Sequence, residues 1–161
     1  MKDKIVSLDK LKDITADLKK NGKKVISTSG CFDILHAGHV TYLEEARAKG
    51  DALIVLLNSD ASVRSLKGEK RPIVPEMERA TVIAGLSSVD YVCIFDDKTP
   101  CAIIEEIQPD IVIKGGDYEG KHIPEMDSVR LYGGSVAYVS AVDGLSTTNI
   151  VEKIKELGKN E

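Results

Sequence analysis

Two histidines, His36 and His39, flank Ala37-Gly38 directly after the run Gly30-Cys31-Phe32-Asp33-Ile34-Leu35. This run follows a short apolar segment, Val25-Ile26-Ser27-Thr28-Ser29, and precedes a helical pattern, so it stands where a strand hands over to a helix. A helix start carries free backbone N–H groups and the positive end of the macrodipole, both suited to phosphate. Imidazoles at i and i+3 add side-chain donors to the same spot, and Gly38 lets the backbone approach a ligand closely. The chemistry implied is the handling of a nucleotide's phosphate chain. Its candidate nucleotide-binding residues are Gly30, Cys31, Phe32, Asp33, His36, Gly38 and His39. A metal centre fits less well, because no further His or carboxylate completes a recognisable ligand set. The three cysteines, Cys31, Cys93 and Cys101, show no C-x-x-C spacing, and no base is placed to make Cys31 a nucleophile.

Further candidates follow other apolar runs. Asn58-Ser59-Asp60 closes the run Ala52-Leu53-Ile54-Val55-Leu56-Leu57. Beyond it, Arg64, Lys67, Lys70 and Arg71 put four cations within eight residues of a chain whose net charge is −4. In isolation such a loop reads as solvated surface; beside a strand end facing the same cleft, phosphate binding is the better reading. Lys67, next to Gly68, is the favoured cation, because a glycine lets a loop close over a ligand. Arg79, on the following helix, reads equally as a second phosphate ligand or as an ordinary surface ion pair. Lys114-Gly115-Gly116-Asp117 forms a turn after another strand, where Asp117 is suited to a sugar hydroxyl, to a magnesium ion, or merely to capping the turn. Ser146-Thr147-Thr148 opens the last helix, as an N-cap and as a second phosphate cradle. Asn58, Asp60, Lys67, Arg71, Arg79 and Asp117 are therefore substrate-binding candidates, while Lys114, Gly116, Ser146, Thr147 and Thr148 join the nucleotide set.

These residues need a scaffold that gathers strand ends. A chain of 161 residues is expected to form one domain around one core. Leu8, Leu11, Ile14 and Leu18 recur at helical spacing until Asn21-Gly22 stops the pattern. Further helices are expected over 39–49, 61–66, 76–86, 101–107, 124–132 and 147–157, and strands over 25–29, 52–58, 91–95, 111–114 and 135–139. Strands separated by helices imply parallel pairing with right-handed crossovers, hence a three-layer α/β fold with a central parallel sheet of about five strands. In such sheets ligands bind beyond the carboxyl ends of the strands, where the candidates fall. The expected layout is a single domain, 1–161, with an N-terminal helix in 1–22 and a catalytic core over 24–157. The net charge of −4 argues against a general nucleic-acid binder. No apolar stretch approaches the roughly 20 residues of a membrane span, and Met1-Lys2-Asp3-Lys4 does not begin a signal peptide, so a cytoplasmic protein without a membrane partner is expected.

The run Gly30–His39 together with Ser146-Thr147-Thr148 resembles the two signatures of the His-x-Gly-His nucleotidyltransferases, the cytidylyltransferase-like superfamily, from about Lys24 to Leu157. That resemblance implies a Rossmann-like nucleotidyltransferase fold. Within the superfamily the chain is similar to the ADP-heptose synthase adenylyltransferases, either separate or as the second domain of a bifunctional heptose kinase/adenylyltransferase. Asn58-Ser59-Asp60-Ala61-Ser62, Leu66-Lys67-Gly68, Arg71-Pro72, Val112–Tyr118 and Asp143–Ile150 carry that similarity. The glycerol-3-phosphate cytidylyltransferases share both signatures, but they typically carry an arginine shortly before Ser-Thr-Thr. Here that stretch reads Ala141-Val142-Asp143-Gly144, and Gly115-Gly116-Asp117-Tyr118 replaces a Gly-Asp-Asp-Trp-like run.

The resemblance implies conversion of D-glycero-β-D-manno-heptose 1-phosphate and ATP to ADP-heptose and pyrophosphate, with magnesium on the nucleotide and the product feeding lipopolysaccharide core or related glycan synthesis. The expected catalytic residues are His36, His39 and Lys67, acting by position and charge, because a phosphate acceptor is already anionic and needs no general base. A separate sugar kinase is expected upstream, and a homodimer or higher homo-oligomer is the default for a small enzyme. The competing functions are a cytidylyltransferase for glycerol 3-phosphate or a similar small alcohol phosphate and, from another class, a non-catalytic nucleotide-binding sensor.

Overall fold

The computed structural model describes residues 2–140 and 146–158; the arginine-free stretch before Ser146, residues 141–145, lies outside the described residues. In chain order the elements are α1 (Leu8–Lys20), β1 (Val25–Gly30), α2 (Ala37–Arg47), β2 (Ala52–Asn58), α3 (Asp60–Lys67), α4 (Glu76–Ala84), β3 (Tyr91–Phe95), α5 (Cys101–Ile107), β4 (Ile111–Gly115), α6 (Pro124–Arg130), β5 (Ser135–Val139) and α7 (Thr147–Leu157). The five strands pair in parallel in the order β3-β2-β1-β4-β5. The chain therefore winds outward from β1 in one direction through β2 and β3, then returns to the other side for β4 and β5. The reversal falls between β1 and β4, which align Ile26 with Ile111 and Thr28 with Ile113. A crevice opens beyond the carboxyl ends of strands at such a reversal.

Strand β2 shows why the sheet is central. All seven of its residues are buried. Leu53, Val55 and Leu57 pack into one apolar cluster with Leu43, Ala80 and Ile83, while Ile54 and Leu56 pack into another with Leu11, Ile103 and Ile104. Period-two alternation thus serves two helical layers at once, and each fully buried Leu, Ile or Val contributes roughly 1.5–3 kcal/mol. Helix α1 belongs to this arrangement, since Leu11 is fully buried in the second cluster.

The expected elements are present, with shifts at their ends. Helix α2 begins two residues before His39, because the His36 side chain itself caps the helix by accepting the Gly38 N–H. It stops at Arg47, α4 stops at Ala84 before Gly85, and α6 stops at Arg130. Ser59 caps α3 and Ser146 caps α7, each hydroxyl accepting a backbone N–H three residues on. Gly68 ends α3 at φ +92°, a conformation that favours glycine.

Candidate active site

The turn after β1 is built from the inside out. Gly30 has no side chain, and a Cβ there would lie 2.9 Å from the Phe32 ring. Phe32 adopts φ +44°, which is costly for a residue with a side chain and needs surrounding structure to hold it. That backbone tucks the Phe32 ring against His39, with centroids 5.2 Å apart, and the His36 ring stacks on the other imidazole at 3.9 Å. His36 Nδ1 accepts the Gly38 N–H at 3.1 Å, so a neutral His36 carries its proton on Nε2. His39 Nδ1 is buried without a partner among the described residues, which leaves Nε2 as the nitrogen on the side of the cleft that His39 lines.

The cleft consists of two lobes of about 270 and 430 Å³, joined through Ser29, Gly30, Cys31, Lys67, Lys114 and Tyr118. Phe32, Asp33, His39, Tyr42 and Thr147 line the first, histidine lobe. Asn58, Phe95, Lys98, Thr99, Ile123 and Glu125 line the second, far lobe. Lys67 lies at the end of α3, exposed, lining both lobes, and makes no ion pair with a described residue. Lys114 also lines both; its ammonium meets Glu125 Oε1 at 2.7 Å and sits 5.1 Å from the centre of the Tyr118 ring. The Asn58 amide donates to Ser62 Oγ at 2.9 Å and accepts from the Cys31 thiol.

Electrostatics follow from burial. Burial pushes the His39 imidazole down to about 4, and neighbouring His36 and the Lys67 ammonium act in the same direction. Burial lowers His36 as well. The pair is therefore poised as neutral donors, and an anion placed on it would favour protonation. The Tyr42 hydroxyl is pushed up to about 12, chiefly by burial, and the hydrogen bond with Thr28 opposes that shift. Tyr42 also donates to the Ile113 carbonyl and so ties α2 to β4 across the crevice.

Several candidates take other places. Arg79 lines neither lobe: its side chain is 0% exposed, donates to the carbonyls of Val74, Cys31 and Asn58, and pairs with Asp60 at 2.7 Å. It pins the ends of β1 and β2 together. Asp60 is engaged by Arg79 and lines neither lobe. Arg71 is paired with Asp33 at 2.5 Å, and the other Asp33 oxygen accepts the N–H groups of Ile73 and Val74. Asp33 thus fixes the 71–74 loop from inside the histidine lobe. Asp117 is exposed and folds back over Gly115, while Gly116 packs near the end of β5. Thr147 reaches the histidine lobe; Ser146 caps α7, and Thr148 is exposed. Tyr42, Lys98, Thr99 and Glu125 were not among the sequence candidates. Tyr42 stands three residues after His39 on the same helix face, a spacing that marks it; the other three have no local signal.

A parallel sheet reversed at β1/β4, with a stacked imidazole pair at the helix start after β1 and a lysine across the opening, defines a nucleotidyltransferase. The chain belongs to the cytidylyltransferase-like family, whose model matches residues 27–153. It is 53% identical over 151 residues to the bifunctional protein HldE of Geobacter metallireducens and 50% identical over 153 residues to that of Wolinella succinogenes. These alignments cover 94% and 95% of this chain but 31% of each relative, so the chain spans about a third of the length of the curated relatives it matches. Among solved structures, the lipopolysaccharide core biosynthesis protein from Thermoplasma volcanium superposes with a TM-score of 0.61 at 30% identity, over 75% of this chain and 98% of that one.

Proposed function

We propose that the chain transfers the adenylyl group of ATP to D-glycero-β-D-manno-heptose 1-phosphate, forming ADP-heptose and pyrophosphate for lipopolysaccharide core or related glycan synthesis in the cytoplasm. The observation that carries this reading is the stacked His36–His39 pair, whose His39 lines the cleft together with Lys67, a lysine that makes no ion pair with a described residue. The similarity to a lipopolysaccharide core biosynthesis protein supports a role in that synthesis, and the resemblance carried by Asn58–Ser62, Leu66–Gly68 and Val112–Tyr118 supports heptose as the sugar. The lack of an arginine in Ala141-Val142-Asp143-Gly144 supports adenylyl over cytidylyl transfer.

An oxygen of the acceptor phosphate attacks the α-phosphorus in line. The bond from that phosphorus to the bridging oxygen breaks, and its electron pair leaves with pyrophosphate. His36 and His39 donate to the phosphates as charge moves onto the leaving group, and the α7 start at Ser146–Thr148 receives the β,γ-phosphates. Lys67, free to swing at the Gly68 end of α3, neutralises the incoming acceptor. No general base is required, because the nucleophile is already anionic.

Among the described residues no group of three or more His, Cys, Asp or Glu is placed to hold a metal ion. Both Asp33 oxygens are engaged by Arg71 and by backbone N–H groups. Magnesium in this reading therefore comes in on the triphosphate as part of the substrate and screens its charge.

One assay tests the proposal: pyrophosphate release with heptose 1-phosphate plus ATP, against glycerol 3-phosphate plus CTP. Release with the first pair alone is expected. Release with the second pair alone would replace heptose adenylylation by the cytidylyl reaction, and nucleotide binding without release from any acceptor would favour a sensor.

A further inference from the structure

The far lobe contains a carboxylate, Glu125, beside three lysines, Lys67, Lys98 and Lys114. Glu125 is 5% exposed at its side chain, and its Oε1 accepts the Lys114 ammonium at 2.7 Å. Its Oε2 makes no hydrogen bond with a described residue, yet it is not sealed from solvent. Glu125 lines the far lobe and not the histidine lobe, so that open oxygen belongs to the far side of the cleft. Around it Phe95, Ile123 and Pro124 offer apolar surface, while Lys67 and Lys98 lie elsewhere on the same lobe.

A buried anion beside a phosphate site repels phosphate and attracts hydroxyl donors. The partner lysine cancels the net charge and holds the carboxylate in place without occupying its second oxygen. Apolar walls with a carboxylate among them suit the C–H faces and hydroxyls of a sugar ring. The acceptor's phosphate then lies toward Lys67 at the junction of the lobes, and its neutral polyol body extends toward Glu125.

We propose that Glu125 determines acceptor specificity by accepting hydroxyl groups of the sugar phosphate through Oε2, with Lys114 holding its carboxylate in position. This rests on the reading of the chain as a transferase acting on a sugar 1-phosphate. It adds a residue that discriminates between sugars, far in sequence from the histidines.

The test compares wild type with Glu125→Gln on a panel of sugar 1-phosphates, each lacking or inverting one hydroxyl, with pyrophosphate release as the readout. A site built around a substrate hydroxyl rejects analogues lacking it, so one such change is expected to lower the wild-type kcat/KM by about tenfold or more. In Glu125→Gln the penalty for that same hydroxyl is expected to fall to about twofold. An equal loss on every acceptor, or an effect confined to ATP, would reduce Glu125 to an anchor for Lys114 and overturn the proposal. If Glu125→Gln does not fold, Glu125→Asp keeps the charge but withdraws the carboxylate by one methylene, and the same ratio decides. Wild type that releases no pyrophosphate with any sugar 1-phosphate would overturn the transfer reading and this assignment with it. Wild type that turns over, with discrimination surviving in the variant, would overturn this assignment alone.

Discussion

The turn after β1 and the segment after β4 face each other across one cleft, and they are held in different ways. His36 is oriented by a hydrogen bond to Gly38, two residues away, and by stacking on His39. Lys114 is oriented by Glu125, eleven residues away, on a separate helix. The first wall presents neutral donors that any phosphate chain can use. The second presents a charged pair with one oxygen open, a feature that distinguishes one organic body from another. Reaction type is therefore set by a compact local motif, and acceptor choice by contacts that only folding brings together. The division is not complete, because the local motif stands on a tertiary footing: Arg79 holds the Cys31 carbonyl, and Asp33 holds the 71–74 loop.

Removing that footing should have the largest effect. Arg79→Met leaves the carbonyls of Val74, Cys31 and Asn58 and the Asp60 carboxylate without this buried donor, and breaking a buried pair costs about 3–5 kcal/mol. Thermal melting should fall by roughly 10 °C, with activity tracking the folded fraction. Unchanged melting combined with lost acceptor binding would return Arg79 to the role of ligand.

His39→Ala should keep the fold and lose roughly 10²–10³ in kcat, or about 2.7–4 kcal/mol of barrier, as expected for one lost donor to developing charge. Steady-state pyrophosphate release reads this, and near-normal turnover would remove the histidine pair from the mechanism.

Lys67→Ala should be milder and different in kind. Hydrogen bonds to charged groups contribute about 1.5–3 kcal/mol, so kcat/KM for the acceptor should drop roughly 10- to 100-fold. Melting should not move, because the side chain is exposed and unpaired with any described residue. A stability loss without an acceptor effect would contradict its position at the junction of the lobes.

The smallest effect concerns pH and belongs to the histidine wall alone. The folded protein holds His39 at about 4, while an unfolded histidine titrates near 6.5. Between those values the unfolded chain binds a proton that the folded one refuses, so stability falls as pH drops from about 6.5 toward 4. Melting curves of unliganded wild type and His39→Asn across this window should converge at low pH. Parallel curves would mean that burial does not depress His39.

Much of this protein was legible along the chain. The five strands stand out because each is a short apolar run bounded by turn residues, and the order of elements follows from alternation alone. His36, Gly38 and His39 are legible because their geometry is created within one turn of helix. The start of α2 was misplaced because the histidine side chain is itself the cap, and propensity does not anticipate such a bond.

Charge was read least well. Lys67, Arg71 and Arg79 are three similar cations within 13 residues, yet one has no ion-pair partner among the described residues, one is paired with Asp33 and one is buried among carbonyls. Nothing in their neighbours separates them, because the partners lie on other elements and the sheet order decides which elements meet. By itself the sequence determined the fold class, the strand ends that carry chemistry and the imidazole pair. The tertiary structure decided which charges remain available and brought Glu125 to Lys114, because burial and ion pairing depend on distances that chain separation does not encode.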